Sequence, residues 1–351
     1  MTSVTFSFVN SGIDPLRCLE DGVHAEKAGF DTVWVADHYV DVDCERLEPW
    51  TMLSAISART RKIRLASGVT DTQRTHPTRT AHMVAGLDVL SKGRTILGIG
   101  AGESMNTVPF GLPWEPPGER LNRLEEAIKV ISLLWDSSID HQKNFTGNFF
   151  SLKNAHLDQP PRQKPHPPIY IGAIASRRAL EIVGEMGDGW YGWLNTPQTF
   201  RKRWKIISKS ASSAGRTPTK ITASTQLMVA FPRNSDEKKA ALLAAKAGLL
   251  MEKSVLRSLG WESNPLEHYQ NLSISRESTK RIMNIASSIP DEFVHKVMAV
   301  EGVEAVEERV EELSKAGLKQ FAVSDITPPK NVGKIMKVFP RLIKDYNDEK
   351  A

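Results

Sequence analysis

Short, almost wholly apolar runs alternate along the chain with longer stretches in which apolar residues recur every three or four positions. The first run is Val4–Asn10 (VTFSFVN). Behind it, PLRCLEDGVHAEKAG places Leu16, Leu19, Val23 and Ala28 near helical spacing, and Gly29 stands where a helix C-cap takes glycine. Thr32–Asp37 (TVWVAD) precedes a helix over WTMLSAISART, Ile63–Thr70 (IRLASGVT) precedes a helix from His76 to Lys92, and Arg94–Gly100 (RTILGIG) precedes a helix from Glu119 to Trp135. The run starts repeat every ~30 residues, the length of one strand–helix unit.

The beat breaks after Trp135. DHQKNFTGNFFSLKNA sets Gly147 between two short aromatic runs and reads as a hairpin, and the proline-rich QPPRQKPHPP leads back to the body. Pro168–Ala173 (PIYIGA), a helix over RRALEIVGEMG, Gly189–Leu194 (GWYGWL), a helix from near Thr196, and Ile221–Phe231 (ITASTQLMVAF) then follow. From Ser235 to about Met298 the chain reads as helical and loop-rich, longer than a crossover needs. A helix Val303–Gly317, a strand Gln320–Ile326 and a helix Val332–Tyr346 close it. Eight strands with near-apolar centres, seven followed at once by helices, predict an α/β fold: a (β/α)8 TIM barrel, with an open doubly wound sheet as the alternative. The expectation is one domain over residues 1–351, with insertions near 136–165 and 235–298.

Composition changes this picture little. With 351 residues, 40% hydrophobic and 25% charged, the chain can bury a large core, which excludes disorder. No apolar run reaches membrane-spanning length, and MTSVTFSFVN reads as a strand, so a cytoplasmic location is the default expectation. Two cysteines, Cys18 and Cys44, make neither a disulfide framework nor a metal site, and nine scattered histidines predict no metal. A net charge of +5 suits an anionic small ligand but is too diffuse for nucleic acid. Apolar segments in the insertions point to a homodimer.

In such barrels chemistry sits where the strands end. Asp37 and His38 put a carboxylate beside an imidazole, able to fix an amide-like N–H and to move a proton near neutral pH, although they could equally cap and pack the rim. Ser67-Gly68-Val69, with Thr70, is a small-residue break that suggests a bulge. Gly98-Ile-Gly100-Ala101-Gly102-Glu103 fails as a dinucleotide fingerprint, since Glu103 takes the sixth place and no helix is expected before about Glu119. Its glycines would instead let a planar ligand approach, with Glu103 and Asn106 supplying an acid and an amide. Gly172-Ala173-Ile174-Ala175-Ser176 precedes a helix, so its N–H groups, Ser176 as N-cap, and Arg177 and Arg178 suit an anion.

Together, GFDTVWVADHY, RTILGIGAGESMN, the stretch from Trp114 through Arg120 to Ile128, and PIYIGAIASRRALEIVGEMGDGWYG resemble the luciferase-like (β/α)8 flavoproteins, in the branch that uses the deazaflavin coenzyme F420. The GAGE form followed by PFGLPW is most similar to ketoreductase-type members. The resemblance implies Asp37 and His38 beside the deazaflavin ring, Gly100, Gly102 and Asn106 along the cofactor, Glu103 near the reacting carbon, a non-proline cis peptide at Gly68-Val69 behind the ring, and a phosphate site on Ala173 to Ser176. The implied activity is hydride transfer between coenzyme F420 and a small carbonyl, alcohol or methylene-pterin substrate, with Glu103 or His38 moving the proton and Asp37 fixing the ring. An FMN-dependent monooxygenase, a non-catalytic flavin-binding relative and a non-redox barrel enzyme acting on a phosphorylated metabolite are the rival readings.

Overall fold

The computed structural model describes residues 4–10, 14–41, 47–250, 252–261, 273–327 and 333–348. In chain order the first half comprises β1 (Thr5–Asn10), α1 (Pro15–Lys27), β2 (Thr32–Val35), α2 (Pro49–Arg59), β3 (Arg64–Ser67), β4 (Thr70–Asp71), α3 (Pro77–Leu90), β5 (Thr95–Gly100), α4 (Pro117–Trp135), β6 (Lys143–Thr146) and β7 (Ser151–Ala155). The second half comprises β8 (Ile169–Gly172), α5 (Arg177–Met186), β9 (Gly189–Trp193), α6 (Pro197–Ser213), β10 (Thr222–Val229), α7 (Ser235–Leu250), α8 (Lys253–Ser258), α9 (Arg276–Ala286), α10 (Asp291–His295), α11 (Val303–Lys315), β11 (Gln320–Asp325) and α12 (Ile335–Asp348).

The sheet is a closed barrel. Parallel pairs run β2–β1–β11–β10–β9–β8–β5, and β3, beside β2, also pairs with β5 at Leu65↔Thr95 and Ala66↔Ile96. The third of its eight staves is β3 followed by β4; the run over 63–70 is interrupted at Gly68–Val69, within the expected small-residue break, and that peptide is cis, as the resemblance implies. Proline opens α1, α2, α3, α4 and α6 in the first turn, where its missing N–H costs nothing because that group has no helical acceptor.

Alternation along the staves makes two cores. Outward residues such as Phe8, Val33, Leu65, Leu97, Ile171, Trp190 and Phe321 pack under the helices. Inward residues Val9, Trp34, Ala66, Ile96, Tyr170, Tyr191 and Ala322 fill the barrel. Three large aromatics fit there because neighbouring positions are small. A Cβ on Gly98 would stand 2.0 Å from the Ser67 carbonyl and 3.1 Å from the Trp34 ring, so only glycine serves at that crossing.

The first insertion is the expected antiparallel hairpin, β6 with β7. Glu126 of α4 ties down its turn, accepting the N–H groups of Asn148 and Phe149 at 2.7 and 2.9 Å. The second forms α7 to α10, which build a separate apolar cluster over the barrel mouth with Leu194, Ala230 and Ile326. The sequence placed no helix between Gly100 and Glu119; two short 3-10 turns occur there, Ser104–Asn106 and Val108–Phe110. The last helix starts at Ile335 rather than at Val332, which lies outside the described residues. Cys18 is buried on α1, and Cys44 also lies outside the described residues. No described helix is long and apolar enough to cross a membrane.

Candidate active site

A cavity of about 980 Å³ opens at the C-terminal ends of the staves, between them and α7 to α9. Asp37, His38, Gly68, Val69, Thr70, Gly100, Ala101, Gly102, Glu103, Asn106 and the run Gly172, Ala173, Ile174, Ala175 and Ser176 all line it. Ser67 does not. Its hydroxyl turns to β5, donating to the Gly98 carbonyl at 2.8 Å and accepting the Gly98 N–H at 3.1 Å, so it bridges staves where β3 leaves the sheet.

The floor is set by the break in the third stave. Val69 projects between Gly100 and Gly172, where an added Cβ would come within 3.1 and 3.0 Å of its side chain. The room left by these two glycines is therefore filled by Val69 itself. A flat ligand would meet an apolar step flanked by bare backbone rather than an open glycine trough.

Beside this floor stands a cluster centred on Arg74, which sequence reasoning missed. Its Nη1 donates to Asp37 Oδ1 at 3.0 Å, its Nη2 to the Asp37 carbonyl at 2.6 Å and its Nε to Asp71 Oδ2 at 2.5 Å. Thr70 donates its hydroxyl to Asp37 Oδ2 at 2.5 Å. Arg74 is almost wholly buried, and Tyr39 covers its guanidinium at 4.8 Å. Burial lifts the Asp37 carboxyl above the ordinary carboxylate range, against Arg74 and Thr70, which hold it down.

His38 lies between two acids. Its Nδ1 is 3.5 Å from Asp41 Oδ2 and its Nε2 is 3.6 Å from Glu103 Oε2. Asn106, expected along a cofactor, lines the cavity and also has a structural task. Its Oδ1 accepts the N–H groups of Tyr39 and Val40 at 2.7 and 3.0 Å, and its Nδ2 lies 3.5 Å from Glu103 Oε2. It thus pins the segment that carries Asp37 and His38 to the turn that carries Glu103.

Glu252, between α7 and α8, also lines the cavity. Burial pushes its carboxyl up to about 7; Ser254 and Arg203 oppose the rise and the negative charge of Glu103 adds to it. Arg203 is buried on α6, donating to Asn195 Oδ1 at 2.7 Å, and burial pulls its guanidinium down to about 10. Sequence reasoning named neither residue.

At the β8–α5 end, Ser176 caps α5 through the Ala179 N–H at 3.4 Å. The other first N–H groups of that helix have no helical acceptors, and Ser176 at its start lines the cavity. The charge expected from Arg177 and Arg178 is spent within the protein, on Glu181 and on Glu125 with Glu185. Arg120, like Arg74, does reach the cavity; it is stacked on Trp114 at 3.7 Å and donates through Nη1 to the Glu115 carbonyl at 2.9 Å, and its buried Nε has no protein partner. The Tyr191 hydroxyl and Trp193 Nε1 are likewise buried without a partner, on side chains that line the cavity. Such orphaned donors, with an apolar step and a helix N-terminus, fit a planar heterocycle bearing acceptors and an anionic tail.

The model of the family described as Luciferase-like monooxygenase matches residues 6–320, and the chain belongs to that family. A phthiodiolone/phenolphthiodiolone dimycocerosates ketoreductase of a Mycobacterium species is 37% identical over 199 residues, 56% of this chain and 51% of that protein, about half its length. An F420-dependent glucose-6-phosphate dehydrogenase of Microbacterium testaceum is 31% identical over 302 residues, 81% of this chain and 83% of that one. Among solved structures, an F420-dependent secondary alcohol dehydrogenase in complex with an F420-acetone adduct superposes with a TM-score of 0.81 at 23% identity, covering 97% of this chain and 98% of the other. The barrel is therefore the fold of this family, and its relatives include F420-dependent oxidoreductases.

Proposed function

We propose that the protein is a coenzyme F420-dependent oxidoreductase that moves a hydride to or from a carbonyl or alcohol carbon. The observation that carries the reading is the assembly of Asp37, His38 and Glu103 around one apolar step, Val69, at the mouth of the barrel. The bound deazaflavin would supply or accept the hydride at its ring carbon. Gly100, Ala101 and Gly102 would hold the ring edge by backbone, Asp37, fixed by Arg74 and Thr70, would orient it, and the α5 N-terminus with Arg120 would take the anionic tail. In the reducing direction the carbonyl carbon gains the hydride and the oxygen gains one proton, from Glu103 or from His38 beside it. Substrate affinity for this site would thus depend on placing its oxygen at Glu103. The same reading makes the enzyme a cytoplasmic homodimer acting on a small molecule; light scattering after size exclusion checks the stoichiometry.

A second reading, an FMN-dependent monooxygenase, is supported by the description of the matching family. Titration with coenzyme F420 and with FMN separates the two, tighter binding of F420 being the expected result. Glu103→Gln should retain F420 affinity and lose kcat by about 10²–10⁴, the usual contribution of a positioned acid or base. Undiminished turnover would remove Glu103 from the proton step.

A further inference from the structure

We propose that the substrate carries an extended aliphatic arm on its carbonyl or carbinol carbon, and that this arm lies along the cavity-facing side of α7. The proposal rests on the redox reading above for the reacting end of the molecule.

The first observation is that α7 is apolar on two faces. Ala241, Leu242, Ala245 and Leu249 are buried in the cluster it shares with α9 and α10. That face is the one an amphipathic helix buries against its neighbours. Its other stripe, Ala240, Leu243, Ala244, Ala247 and Gly248, keeps the i, i+3, i+4, i+7, i+8 spacing and lines the cavity. The stripe runs about 12 Å along the helix axis at 1.5 Å per residue. Alanine and glycine keep its relief low, and Ile174, Met228, Met283 and Ile326 supply further apolar lining. A lane of this kind takes methylene groups; a polar arm would leave water without finding partners.

The second observation is where the lane ends. Past Gly248 the chain reaches Glu252, whose carboxyl feels the charge of Glu103. Glu103, Glu252 and the α7 stripe line one cavity, so the acid end and the apolar lane form one continuous space. A substrate oxygen at Glu103 leaves the carbon chain free to run back toward Ala240. Among the described lining residues the arginines are Arg74 and Arg120, which belong to the β4–α3 connection and to α4, not to the α7 wall. The lane thus offers no guanidinium to a phosphorylated arm.

The test uses methyl ketones from butanone to undecanone with the full chain. Specificity, kcat/KM, should rise about fourfold per added methylene, the factor expected for full burial of one CH₂, until the lane is filled. Calorimetric titration of undecanone into cofactor-free protein should show binding that Ala244→Trp, which fills the middle of the lane, abolishes. Leu243→Gln, a milder change to the same wall, should weaken undecanone binding in the same sense, and F420 affinity in both variants reports that the barrel is intact. A flat dependence on chain length in enzyme that binds F420 and reduces butanone would overturn the arm while leaving the redox reading standing. If F420 does not bind, the redox reading fails, and calorimetry alone decides the lane. Binding of undecanone, lost in Ala244→Trp, supports it; absence of binding overturns it.

Discussion

Asp37 and Glu252 are carboxyl groups that line one cavity, and they are held in different ways. Asp37 accepts from Thr70 and Arg74 through both oxygens, and Arg74 also grips its carbonyl and Asp71. Glu252 accepts one hydroxyl, from Ser254 two residues on, and otherwise interacts through charge with Arg203 and Glu103. A carboxylate gripped at both oxygens is suited to holding a ligand in one orientation. One that is desolvated but loosely held can change its protonation near neutral pH without dismantling its surroundings. The stave tips thus supply fixed geometry, while the α7–α8 wall supplies an apolar lane and a titratable group.

The most damaging way to break this contrast is at Arg74. Arg74→Met leaves two buried acids, Asp37 and Asp71, without their cation, which should cost about 3–5 kcal/mol of unfolding free energy by urea titration. Adding Asp37→Asn to that variant should recover a large share. Equal losses in the single and double variants would show that the ion pair is not what holds the stave tips. A smaller effect is expected at Asn106. Asn106→Ala leaves the Tyr39 and Val40 N–H groups without their acceptor, a loss of about 1–3 kcal/mol. It also frees the segment bearing His38, so kcat/KM should fall while F420 affinity changes little; an unchanged kcat/KM would mean the pin does not position His38.

The same contrast explains what could be read in the sequence. Parallel staves buried on both faces leave near-continuous apolar runs with a strand–helix period, so seven of the eight were visible as single strands. The third carried a signal of its own: Ser67-Gly68-Val69 reads as a small-residue break in an apolar run, and the stave is interrupted at Gly68–Val69. Asp37, His38 and Glu103 stand at stave tips and were found by position. Arg74 lies three residues past β4; extending the reading of that tip beyond Thr70 would have reached it. Arg177 and Arg178 show the opposite failure: charge counted as available from sequence was already paired with glutamates on neighbouring helix turns. Glu252 had no signal at all. It follows an alanine-rich helix in an insertion, and its significance arises only when α6, α8 and the β5 tip meet around it.

Glu252 offers the gentlest test of the contrast, through pH. Its folded-state carboxyl is raised to about 7 from an ordinary value of 4.5, so the native protein keeps a proton there that the unfolded chain releases. Stability contributed by the protonated form is complete below pH 4.5 and is lost progressively as the pH rises through 7, because the native state binds more protons over that window. Glu252→Gln preserves the shape but cannot ionise, so the decline in urea midpoint across this interval should be shallower than in the parent protein. Glu103→Gln removes the neighbouring negative charge and leaves Arg203 in place, so it should move the decline to lower pH rather than abolish it. If Glu252→Gln has the parent slope, the decline belongs to another group, and the α7–α8 wall loses its titratable member while keeping its apolar lane.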